Sequence, residues 1–168
     1  MSHPLVLGLF DDAARAAQAA RALRDIDVAR ERVSIVARSH DEEGALADAA
    51  DASPGTEIED SRPAARLGEL SGHLLAAIAL VLPGIGPIVA DGPLAAGLGE
   101  AAGHLAGGIA RMLGRAGLSD ADAAAWEAKI EAGAVLLGAH VDTARQALIC
   151  DTMQRHGASR VVVGRWDE

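Results

Sequence analysis

Three aromatic residues, Phe10, Trp126 and Trp166, and no tyrosine stand in 168 residues. A core built from this chain must therefore be aliphatic, and a stacking platform for bases is missing. There is one cysteine, Cys150, which excludes an internal disulfide and fits a reducing compartment; on a helix it reads as a buried thiol rather than a nucleophile. Positive charge is also short. With 15 Lys and Arg against 24 Asp and Glu, the formal net charge is −9, which repels phosphate backbones and anionic bilayers, so no nucleic acid is expected as a partner. The N-terminus "MSHPLVLGLFDDAAR" lacks the basic region of a secretion signal, and a cytoplasmic location is expected. Residues 70–90 lack Asp, Glu, Lys and Arg. The prolines and glycines of "VLPGIGPIVADGP" leave too little continuous helix to span a bilayer of about 30 Å. Insertion of this stretch into a membrane surface is the less favoured reading.

What is present is a repeated grammar. "LVLGLF" reads as a strand, "DDAARAAQAARALRDID" as an Ala-rich helix capped by Asp11, and "RVSIVAR" as a second strand. Near the C-terminus "GAVLLGAHV" is a strand, "DTARQALICDTMQRHG" a helix capped by Asp142 and ended by Gly157, and "SRVVVGRW" a strand. Two β-α-β units whose strands interleave make an α+β, ferredoxin-like split β-α-β sheet. Residues 1–38 and 133–168 are its halves. The helices cover one face, and the other face is apolar enough to need a partner or the intervening segment.

That segment divides into an acidic connector, 39–63, and an inserted region, 64–132. Residues 64–117 are rich in Ala, Gly and Leu and bend at "PGIGPIVADGP", which predicts a glycine/alanine-rich helical hairpin between the second and third strands. The second helix starts at either Pro87 or Pro93. Residues 118–132 predict a further helix capped by Ser119, with Trp126 on its buried face.

This arrangement resembles a family, the bacterial general stress proteins with a low-temperature-induced-like, glycine-rich insertion. The resemblance is carried by "LVLGLFDDAARAAQAARAL", "LPGIGPIVADGPLAAGLGEAAGHLAGGIARMLGRAGL" and "EAKIEAGAVLLGAHVD", and covers most of the chain outside the acidic connector. It implies a stress-associated protein, and it lends no catalytic residues.

Two rows of small residues, Ala64, Gly68, Gly72 and Ala76, then Ala95, Gly99, Gly103 and Gly107, recur every four positions. Each glycine costs a helix about 1 kcal/mol relative to alanine, so such rows point to close backbone packing, within the chain or between subunits. Beside them lie "LGELSGHL" and "LGEAAGHL", the same Gly-Glu-x-x-Gly-His pattern 31 residues apart. Glu69 and His73, and Glu100 and His104, each share a helix side. Two carboxylates and two imidazoles can form a first shell for iron, zinc or manganese. The weightier alternative is a structural ion pair repeated by duplication.

Other signals fail on context. "GLGEAAGH" has the wrong glycine spacing for a dinucleotide fingerprint, and "PGIGP" lacks the Lys-Ser/Thr of a phosphate loop. His40, His140 and His156 read as solvent-facing or helix-end residues. The expectation is a non-enzymatic, stress-associated binding or assembly protein, a homodimer or higher oligomer. A metal-binding protein is the first alternative and a peripheral membrane protein the second.

Overall fold

The computed structural model describes residues 2–38, 78–82, 86–95, 98 and 108–167. Strand β1, Ser2–Phe10, is followed by helix α1, Ala13–Asp25, and by β2, Val33–Arg38. Strands β3, Ile78–Leu82, and β4, Gly86–Asp91, come next. Helices α2, Gly108–Arg115, and α3, Asp120–Glu131, lead to β5, Val135–His140, then α4, Gln146–Arg155, and β6, Arg160–Asp167. The fold is α+β.

The strands form one six-stranded sheet in the order β3-β4-β2-β5-β1-β6, and every neighbouring pair is antiparallel. β5 lies between β1 and β2, and β1 lies between β5 and β6, so the two strand-helix-strand segments interleave. Side chains alternate across a strand. On β1, Val6 and Phe10 enter one core with Ala16, Ala19 and Leu23 of α1 and Ile149 and Met153 of α4. Leu5, Leu7 and Leu9 enter a second core on the opposite face.

The second core answers what covers the other face. Leu94, Leu98, Ile109, Met112, Leu113, Trp126 and Ile130, all from the stretch between β4 and β5, close over Leu5, Leu7, Val36 and Leu136. Trp126 is 2% exposed; burying such a ring contributes several times the roughly 0.8 kcal/mol of one methylene. Ser119 caps α3, accepting from the Asp122 amide at 3.2 Å. The Ser119 cap and the buried Trp126 are as the sequence predicts.

The helical hairpin is not found at its bend; residues 64–77 and 99–107 of it lie outside the described residues. The apolar runs on either side of "PGIG" are strands β3 and β4, paired from Ile78 with Ala90 to Leu82 with Gly86. The physical reason is length and composition: five or six residues rich in Ile, Val and Leu between Pro and Gly fit a strand as well as a helix by periodicity, and the sheet supplies the backbone partners. Pro87, which has no amide N–H, lies outside the four β4 residues, Ile88–Asp91, that pair with β2. Helical residues begin at Pro93 rather than Pro87.

Gly92 makes that exit feasible. Its φ is +81°, and a Cβ there would stand 2.2 Å from the Val33 carbonyl oxygen and 2.7 Å from Ser34 Cα. Only glycine fits so close an approach in the left-handed region. Beside it, the fully buried Ser34 hydroxyl accepts from the Leu94 amide at 3.0 Å, capping the new helical residues from a neighbouring strand. The acceptor Glu127 on α3 does the same for α2, taking the Ala110 amide at 2.7 Å.

Two further expectations shift. Asp12, not Asp11, caps α1, accepting from the Arg15 amide at 2.8 Å. Asp142 heads a short 3-10 turn, Thr143–Arg145, and makes no side-chain cap bond; α4 starts after that turn. Gly157, with φ +88°, does end α4.

Candidate functional site

The metal ligands expected from the repeated motif, Glu69, His73, Glu100 and His104, lie outside the described residues, as do the acidic connector 39–63, His40 and most of both small-residue rows. Among the described residues, no group of three or more His, Cys, Asp and Glu is placed to hold a metal ion. No helix among them is long and apolar enough to cross a membrane.

The described residues instead bring polar side chains together at one end of the sheet. Three segments meet there. His3 lies at the start of β1, β5 ends with His140 and is followed by Val141 and Asp142, and the 3-10 turn before β2 carries Glu31 and Arg32. Antiparallel pairing of Leu5 with His140 and of Val33 with Ala139 fixes their relative heights. The Val141 amide donates to the Pro4 carbonyl at 3.1 Å, holding the β5 exit against the start of β1. Together with Pro93 these residues line an open groove of about 220 Å³. That is smaller than the roughly 300–1,000 Å³ of pockets for drug-sized ligands.

The lining carries both signs of charge. Arg32 Nη1 stands 3.9 Å from Asp142 Oδ1, and the two side chains are 54% and 71% exposed. At that distance and exposure the pair contributes at most about 1 kcal/mol and is easily exchanged for other partners. His140 lies deeper. Its ring meets Trp166 edge-on, with centroids 6.1 Å apart and planes at 87°. The Arg115 guanidinium lies 5.7 Å from the centroid of the same indole, a cation–π contact of about 0.5–1 kcal/mol when exposed. The arrangement fixes one imidazole on a rigid platform and leaves the other, on His3, at the exposed start of a strand.

His140 stands at a strand end, as the sequence places it, but it is half-buried with its Nε2 out of reach of solvent rather than solvent-facing. The sequence did not single out His3, Glu31 or Arg32, since their meeting depends on sheet order and register, for which local patterns carry no signal. His156 is the helix-end residue expected of it: it is the C-cap of α4, and its Nδ1 is 2.8 Å from the Thr152 carbonyl. Cys150 is half-buried rather than fully so, and burial pushes its thiol above the ordinary value of 9.0. A protonated thiol is a poor nucleophile.

No family model matches the chain, and neither a curated protein nor a solved structure matches it.

Proposed function

We propose that this chain is a ferredoxin-like split β-α-β domain in which residues 39–132 are inserted between β2 and β5, and that it works as a non-enzymatic, stress-associated binding or assembly protein. The strand order β2-β5-β1-β6, with α1 and α4 on one face, supports the fold reading. The inserted region then has two tasks: its helices cover the second face, and its hairpin lengthens the sheet. The stress association rests on the resemblance carried by "LPGIGPIVADGP" and its flanks.

One observation carries the assembly reading. β3 ends the sheet, its sequence is "IALVL", and among the described residues its outer edge pairs with no strand. A row of backbone donors and acceptors on an apolar edge is a template for another strand, unless charge or proline blunts it. Two copies meeting edge to edge across a two-fold axis would join β3 to β3 antiparallel and continue the sheet. This differs from assembly through the glycine-rich helical hairpin expected from sequence, most of whose small-residue rows lie outside the described residues. Light scattering on the full chain tests this: a dimer is expected, and Leu80→Lys or Leu80→Pro should shift the mass to monomer. A parent protein that is monomeric at about 100 µM, well above the Kd of an interface worth roughly 8 kcal/mol, would end the assembly reading.

A further inference from the structure

We propose that the groove at the sheet end binds a free α-amino acid with a small polar side chain, a property separate from assembly at β3. The argument starts from the charges. A groove lined by one sign selects a simple anion or cation, whereas this one sets Arg32 and Asp142 side by side, 3.9 Å apart. In an α-amino acid the ammonium and carboxylate are carried on a single carbon, so its opposite charges are also neighbours. The carboxylate pairs with the Arg32 guanidinium, whose planar fork suits it, and the ammonium pairs with Asp142. Because the Arg32–Asp142 contact is long and solvated, the ligand replaces a weak interaction with two better ones.

Size and the remaining lining restrict the side chain. A volume of about 220 Å³ holds a molecule of few heavy atoms. Besides the charged pair the lining includes the exposed His3 imidazole, whose ring nitrogens donate or accept hydrogen bonds, and the apolar Pro93 and Val141. A hydroxyl or amide fits these neighbours. Glu31, also in the lining, adds a second negative charge and disfavours a second carboxylate.

The test is calorimetric titration of the full chain with L-serine and with two analogues that each lack one charge. 3-Hydroxypropionate keeps the carboxylate and hydroxyl without the ammonium, and ethanolamine keeps the ammonium and hydroxyl without the carboxylate. Saturable binding of L-serine with a Kd of about 1 mM or tighter is expected, with each analogue at least about tenfold weaker. Asp142→Asn and Arg32→Ala alter exposed side chains and should leave the melting temperature within a few degrees while weakening L-serine about tenfold or more. Absence of saturation by about 10 mM L-serine overturns the proposal. So does equal binding of 3-hydroxypropionate, which would mark a plain anion site, or undiminished affinity in both variants, which would place the ligand elsewhere.

Discussion

Replacing Gly92 by alanine tests how the inserted region is joined to the sheet. At φ +81° an L side chain costs about 1–2 kcal/mol in backbone strain alone. The added methyl would stand 2.2 Å from the Val33 carbonyl oxygen, more than 1 Å inside ordinary contact, and both neighbours are backbone that cannot rotate away. Relief requires β4 to draw back from β2, which stretches the 3.0 Å bond from the Leu94 amide to Ser34 Oγ. Leaving those groups unsatisfied in the interior adds about 1–3 kcal/mol. The sum is about 2–5 kcal/mol, a large share of the 5–15 kcal/mol typical of a domain. Gly114→Ala is the matched control: it lies within α2 with nothing within 4 Å of the new methyl, and should stabilise by about 0.5–1 kcal/mol. Thermal and urea unfolding of the three proteins measure both. At about 2–4 °C per kcal/mol, Gly92→Ala should melt at least about 4 °C lower and Gly114→Ala slightly higher than the parent. A Gly92→Ala protein within about 0.5 kcal/mol of the parent would refute the close approach of the β4 exit to β2.

Three other outcomes follow from single contacts. Ser34→Ala removes the cap on the Leu94 amide within a fully buried site and should lower stability by about 1–2 kcal/mol in urea unfolding. Glu127→Ala removes the charged acceptor from the Ala110 amide and should cost about 1–2 kcal/mol, while Glu127→Gln, which keeps a neutral acceptor, should cost less. The Cys150 thiol, held protonated above its ordinary 9.0 by burial, should react with a disulfide reagent more slowly in the folded chain than in urea. Its sign in stability is fixed: because the folded pKa is the higher, its contribution is fully present below pH 9.0 and is lost as pH rises through the folded value. Cys150→Ser should flatten that alkaline decline, read from melting temperatures across the alkaline range.

The sequence disclosed those parts of the fold that local chemistry decides. Asp12 or its neighbour, Ser119 and Gly157 mark helix ends because their side chains or backbone satisfy groups that any helix leaves open. Val6, Phe10 and Leu5, Leu7 declare a strand with two buried faces, since both parities are apolar. The segment around "PGIGP" could not be decided in this way. "IALVL" and "GPIVAD" are too short for period 2 and period 3.6 to differ, and what settles them is the pairing of β4 with β2, a strand about fifty residues earlier, and of β3 with β4. The groove was hidden for a related reason. His3, Arg32 and His140 are more than a hundred residues apart at the extremes and become neighbours only through register. The repeated Glu-His pattern was conspicuous in sequence because repetition is a local signal, yet Glu69, His73, Glu100 and His104 lie outside the described residues.

Buried residues from Leu94 to Ile130 close the sheet's second face within the same chain. Methyl-methyl nuclear Overhauser contacts between Leu94, Ile109 or Met112 and Leu5, Leu7 or Leu136 measure this directly, in a sample mixed from labelled and unlabelled chains so that intrachain and interchain contacts separate. Strong contacts within one chain are predicted. Contacts found only between chains, or none at all, would contradict it.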